Sequence, residues 1–367
     1  MTAGQQGRGL AHPLLKAAHL RIRGWTVSRI LGGIFTLTAL LAVLLLARTA
    51  FSFLVFHAVD PRSQGVEACR EADGACWPFV AAKLRQFIVG LYPDGMIARA
   101  ILAMAMPPLA IAAAFLLKHR LGLLGFAGAV LMSLPLAFIA LAGDGYLLPS
   151  VGTELWGGLT LTLMVSYTGI AASLPLGLLL ALGRRSSWPV PRWLAICAIE
   201  FWRGVPLVTV LFMASVMLPL FLPEGVSVNK LARALVAIAL FASAYMAEVI
   251  RGGLQSVPAT QYESAEALGF HYAQTLALVI LPQALRNALP GIVGTFIGLL
   301  KDTTLVLVIG LFDFLGMVQL AAADPAWSAP STAITGYVFA ALVFWCLCFG
   351  ISRAGAALER GAVRGRQ

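Results

Sequence analysis

The sequence predicts an all-α polytopic membrane protein with about eight transmembrane helices, and two compositional observations and one pattern carry the prediction. Of the 367 residues, 60% are hydrophobic and 11% charged, where soluble domains carry roughly a quarter charged. The mean hydropathy is +0.88. Apolar runs recur from Leu31 to Phe349, each near the ~20 residues of helix that cross a hydrocarbon core roughly 30 Å thick. Backbone in lipid must satisfy its own hydrogen bonds, and the runs are continuous rather than alternating, which excludes a porin-like barrel.

In chain order the expected spans are 31–54, 96–117, 121–142, 158–182, 194–221, 231–250, 286–310 and 333–350. The formal net charge of +10 sorts by loop. Arg8, Lys16, Arg21, Arg23 and Arg29 precede the first span. Lys118 and Arg120, then Arg184, Arg185 and Arg192, then Arg251 and Arg286, occupy alternate loops, and Arg353, Arg360, Arg364 and Arg366 close the chain. The intervening loops hold Asp60, Glu67, Glu71, Asp73, Asp94, Asp144, Glu154 and Glu224. The positive-inside rule therefore predicts both termini in the cytoplasm, with an uncleaved first span, and the basic charge calls for no nucleic acid.

The spacing of the spans is uneven. A long outer segment, residues 57–95, separates the first two, and within it Phe79 to Leu91 has helical apolar spacing around Lys83 and Arg85, as a helix lying on the membrane surface would. Cys69 and Cys76 sit there, within CREADGAC; an oxidising compartment permits a disulfide between them, and two free thiols beside a turn are the other reading. Neither reading makes a metal site, since His57 lacks ligand spacing. A boundary near residue 150 separates an N-terminal extension of three spans (1–150) from a second part of five (151–367).

That second part has short loops except for one expected cytoplasmic stretch, 251–286. From Arg251 to Gly291 the chain reads RGGLQSVPATQYESAEALGFHYAQTLALVILPQALRNALPG. Pro258 starts a helix, Gly269 stops it, and a second helix runs through Leu281 and Pro282 into the next span. The product is a protrusion on the inner membrane face that a cytoplasmic protein can grip.

Glu263, Ser264, Ala265, Gly269, Val279, Leu281 and Pro282 resemble the EAA loop of ABC-importer permeases, with serine in place of the usual second small residue. The stretches GLTLTL (158–163), EFWRGVPL (200–207), AYMAEVIRGGLQSVP (244–258) and LKDTTL (300–305) are similar to the polar amino-acid branch. The added spans, the CREADGACW segment and the MLPLFLPEG run look like the M-type subunit of the general L-amino-acid transporter. The resemblance implies a type I ABC-importer core with an N-terminal three-helix extension. Its function would be a permease subunit in the bacterial inner membrane, moving amino acids from periplasm to cytoplasm. It further implies an ABC ATPase subunit docked on the EAA-like loop, with ATP and Mg on that partner and no cofactor on this chain, and a periplasmic solute-binding protein. A second permease subunit is also implied, a heterodimer being favoured over a homodimer.

Ionisable groups inside spans cost roughly 2.5–3.5 kcal/mol on insertion scales and so face a pathway, a partner or one another. Glu200, Arg203, Glu248, Lys301 and Asp302 are such groups. For a zwitterion, Asp302 would hold the ammonium group, Arg203 or Lys301 would steer the carboxylate, and Thr303 would hydrogen bond. The competing reading is a structural Lys–Asp or Glu–Arg pair. Gly204 and Pro206 interrupt the fifth span and mark a kink or hinge.

The chain carries no GxxxxGK[ST], HExxH or GxSxG, and its five histidines are scattered, so it is read as a transport subunit and not an enzyme. Composition alone leaves an ion-coupled secondary transporter of small polar solutes as the alternative; the EAA-like loop is what argues against it.

Overall fold

The computed structural model describes residues 11–62, 66–116, 118–223 and 225–364. Arg8, Glu224 and Arg366 of the charge pattern lie outside these residues, and the side chains of Lys16, Arg21, Arg23, Lys118, Arg120 and Arg364 lie outside the described ones.

The described residues form fourteen α-helices: α1 (Ala11–Phe51), α2 (Glu67–Arg70), α3 (Trp77–Val89), α4 (Ile97–Leu116), α5 (Lys118–Ala142), α6 (Gly158–Arg184), α7 (Pro189–Gly204), α8 (Leu207–Phe212), α9 (Lys230–Gln255), α10 (Ala259–Ala267), α11 (Tyr272–Gln274), α12 (Leu281–Asp302), α13 (Phe314–Ala322) and α14 (Pro330–Arg364). π-helical turns follow α1, α8 and α11. Among the described residues six helices are long and apolar enough to cross a membrane, or seven if a bent pair counts as one span. The expected stretch 121–142 falls on α5, whose described apolar part is Met132–Ala142.

The chain divides into two compact units, Met1–Pro78 and Phe79–Gln367. In the first, α1 presents apolar side chains such as Phe35, Leu41, Val43 and Leu46 outward along its length, as a helix facing lipid does. It ends in the π-turn Ser52–Phe56, onto which the next segment folds back. The Ala75 amide donates to the Phe53 carbonyl (2.9 Å), the Val59 amide to Ala75 (2.9 Å) and the Trp77 indole to Leu54 (3.0 Å). A disulfide joins Cys69 and Cys76 with their Cα atoms 5.4 Å apart. Gly74 lies so close to the His57 carbonyl that no Cβ fits.

The second unit is built around α6 and α9, with α12 packed on α9, α14 on α12, and the pair α4–α5 alongside α6. Small residues set the approach: a Cβ on Gly177 would stand 2.7 Å from that of Met246, and one on Gly253 would run into the Ala284 carbonyl. One core cluster gathers Leu161, Met164, Leu211, Ile238 and Leu299; another gathers Ile199, Met246, Ile250, Ile280 and Ile292. Helix starts follow side-chain chemistry. The Asn229 side-chain oxygen, Oδ1, accepts from the amides of Leu231 and Ala232, and the Asp313 carboxylate from those of Leu315 and Gly316.

Two expectations change. The apolar face of α3 is turned into protein rather than onto a membrane surface: Phe79 and Phe87 are fully buried, with the Phe87 ring 6.4 Å from Phe314 and 5.9 Å from Phe339. Lys83, on its polar face, reaches Asp324 at 2.7 Å. Periodicity reports an apolar face but not what covers it, and here protein aromatics do. The stretch 194–221 is not one straight span either. α7 and the Leu207–Phe221 segment meet at 101°, because Val205, preceding a proline, is extended (φ −106°, ψ 131°) and Pro206 has no amide to continue the helix.

Candidate coupling loop and translocation pathway

After α9 ends at Gln255, Pro258 takes an extended conformation (ψ 147°) and α10 begins. Glu263 and Ser264 point outward, whereas Ala265 is buried, so only a small residue fits under the helix. At the far end the Gly269 amide donates to Glu266 (2.9 Å) and the Phe270 amide to Ala265 (3.1 Å), closing the turn. Gly269 has φ +80° with open space around it, so its conformation and not crowding selects glycine. His271 then caps the next helix through a reciprocal box with Gln274.

Leu281 and Pro282 open α12, directly after the π-turn Thr275–Ile280. Proline lacks the N–H that α-geometry would donate to Leu278, which accounts for the widened register just before it. The loop is fixed from three sides: Gln283 Nε2 donates to Gln261 Oε1 (3.1 Å), Asn287 Nδ2 to Ser256 Oγ (2.8 Å) and Arg185 Nη1 to Tyr262 Oη (3.2 Å). What faces outward is a rim of Leu268, Tyr272 and Leu278 beside the carboxylates of Glu263 and Glu266.

Of the ionisable groups in the apolar helices, three come together. Glu248 on α9 accepts from Arg184 Nη1 on α6 (2.8 Å) and from Arg251 (2.6 Å and 2.9 Å), and Arg203 on α7 lies 3.9 Å away. Glu200 takes a second bond from Arg184 (3.0 Å). Glu–Arg pairing is therefore present, its hub is Glu248, and two of its partners are Arg184 and Arg251, expected in loops from the charge pattern. The Glu248–Arg251 spacing of one helical turn was a legible signal; Arg184, 64 residues away, gave none.

Lys301 and Asp302 do not pair with each other or with another ionic group among the described residues. They end α12, where the helix tightens to 3₁₀ geometry at Thr303–Ile309. Lys301 is exposed. Asp302 lines a cavity of about 340 Å³ with Leu207, Phe241, Tyr245 and Thr295. Thr303 is buried and its hydroxyl donates to the Leu300 carbonyl (2.8 Å), so its proton is committed to its own helix. Tyr245, unmarked by any motif, connects the two features: it lines the Asp302 cavity while its ring lies 5.6 Å from the Arg203 guanidinium. Gly204 and Pro206 form the bend that carries Arg203 at the end of α7.

Residues 173–364 match the family of binding-protein-dependent transport system inner membrane components. The chain belongs to that family. It is 52% identical over 300 residues, 81% of this chain and 80% of the relative, to the Escherichia coli (strain K12) inner membrane amino-acid ABC transporter permease protein YhdY. It is 49% identical over 214 residues to the Rhodobacter capsulatus glutamate/glutamine/aspartate/asparagine transport system permease protein BztC, covering 58% of this chain and 49% of that one. A crystal structure of an amino acid ABC transporter with histidines superposes with a TM-score of 0.50 at 30% identity, over 55% of this chain and 91% of that chain. The protein is thus a multi-pass inner-membrane permease of the binding-protein-dependent class. Such subunits are transport components and not catalysts, and the membership favours the importer over an ion-coupled secondary carrier.

Proposed function

We propose that this permease moves amino acids inward, from periplasm to cytoplasm, as one of two membrane subunits around a shared pathway. The observation that carries the reading is the seated, outward-facing α10 with its Gly269 turn, held between α9 and α12. A separate ABC ATPase subunit, which binds ATP and Mg, docks on the outer face of α10 at Glu263 and Ser264, which the buried Ala265 seats and the Gly269 turn ends. Movement of that loop reaches α12 through Leu281 and Pro282. A periplasmic solute-binding protein delivers substrate to the opposite face, and both termini are cytoplasmic. Residues 1–150 form the extension and 151–367 the permease core. The extension favours an unlike second permease over self-pairing.

The pathway runs past the Asp302 cavity. Asp302 attracts the ammonium group of an amino acid, and Arg203, poised over Tyr245, draws the carboxylate. Lys301 and Thr303 flank that point, and Gly204 and Pro206 let α7 swing. The amino-acid names of relatives at 52% and 49% identity support the substrate class.

Uptake of a labelled amino-acid panel by cells carrying the whole system, wild type against Gly269→Asp, tests the proposal. A variant that inserts normally should lose uptake and fail to copurify with its ATPase. Unchanged uptake would show that this loop does not couple ATP hydrolysis to transport.

A further inference from the structure

The first compact unit contains a polar cleft that neither the coupling loop nor the pathway uses. It measures about 460 Å³, within the roughly 300–1,000 Å³ typical of small-molecule sites. Arg48 on α1 and Asp73 in the disulfide loop both line it, with Ser52, His57, Leu45 and Phe53. The two charges do not pair with one another, and neither has another ionic or hydrogen-bond partner among the described residues. An unpaired cation and an unpaired anion facing one cleft are what a zwitterion recognises.

The walls of this cleft are built to stay in place. The Cys69–Cys76 disulfide closes the loop carrying Asp73. Gly74 presses that loop against the His57 carbonyl, and the Ala75 amide bonds to Phe53 across the π-turn. Ser52 Oγ lies 3.0 Å from His57 Nδ1 and fixes the imidazole at the edge. The π-turn Ser52–Phe56 itself shifts the register at the end of α1, a distortion that recurs at functional sites. Arg48 stands in the C-terminal third of the candidate span Leu31–Phe56.

We propose that this cleft binds a zwitterion, with Asp73 holding an ammonium group and Arg48 a carboxylate or phosphate, while Leu45 and Phe53 take the adjoining apolar part. Two sources offer that chemistry: a free amino acid, or the headgroup of phosphatidylethanolamine.

Two arms on the purified full-length chain separate the sources. In nanodiscs of phosphatidylglycerol alone, binding of radiolabelled L-glutamine is compared in an Asp302→Asn background, which removes the proposed pathway site, for the otherwise unaltered chain, Asp73→Asn, Arg48→Gln, the charge-conserving Arg48→Lys, and Glu67→Gln as a control on the exposed surface of the same segment. In native mass spectrometry, the same proteins are scored for retention of phosphatidylethanolamine over phosphatidylglycerol. A monodisperse Asp73→Asn and Arg48→Gln should each lose at least tenfold in one arm, with Arg48→Lys recovering part and Glu67→Gln unchanged. Loss in the first arm identifies the free amino acid, and loss in the second the lipid. The proposal is overturned if the Asp302→Asn parent shows neither preference, if both variants bind within twofold of that parent, or if Glu67→Gln loses as much as they do.

Discussion

Glu248 and Asp302 are both carboxylates in apolar helices, and their surroundings could hardly differ more. Glu248 is mostly buried and faces three arginines from α6, α7 and its own helix. Asp302 lines a cavity and has no cation bonded to it among the described residues. The first is saturated, and its charge is consumed in holding three helices together. The second is left open, as the proposed pathway requires. In a membrane, a paired charge holds helices together, and an unpaired one beside a cavity is the place to test for a site.

The comparison breaks first at Glu248. Glu248→Ala leaves Arg184 and Arg251 partly buried without their common acceptor, and loss of one partner of such a cluster costs about 3 kcal/mol. Thermal unfolding in detergent should show a clear fall in stability, and an unchanged melting temperature would mean that the cluster is not structural. Gly253→Ala, which pushes a methyl into the Ala284 carbonyl, should cost about 2 kcal/mol by overpacking. Gly204→Ala, with no atom within 4 Å of the new methyl, should leave stability unchanged by the same measurement.

Asp302→Asn is the converse case. Stability should change by no more than about 0.5 kcal/mol, while uptake of amino acids falls at least tenfold. Full-rate transport by a stable variant would remove Asp302 from the pathway.

The smallest effects are in pH dependence, where two aspartates outside the spans work in opposite directions. A hydrogen bond from Lys83 holds the Asp324 carboxyl below its usual range. Its contribution is present above the unfolded pKa and is lost as pH falls through the folded one. Burial pushes Asp313 up from 3.8 to about 6, so the folded chain binds the proton more tightly and stability declines as pH rises between those values. Unfolding midpoints followed across this range should flatten in Asp313→Asn and keep their acid-side loss, whereas Asp324→Asn should do the reverse.

Much of the candidate coupling loop was legible because its signals are local. Pro258 starts α10, Gly269 ends it with a positive φ, and Ala265 is small where the helix seats. The break at Val205–Pro206 was equally readable, since proline chemistry acts on its immediate neighbour, although its angle of 101° was not. The Arg184–Glu248 bond, the aromatic cover over α3 and the position of Tyr245 between Arg203 and Asp302 were not legible, because each joins residues from separate helices.

By itself, then, the sequence determined what short-range physics controls. An apolar chain in lipid must form helices of bilayer length, and proline, glycine and capping residues set where they start, bend and stop. Only the tertiary structure decided which charges meet. Two carboxylates that look alike along the chain became a helix clamp at Glu248 and an open acceptor at Asp302. The reason is that electrostatic pairing depends on distances of a few ångströms between helices, and those distances are set by how Gly177, Gly253 and Gly291 let the helices approach.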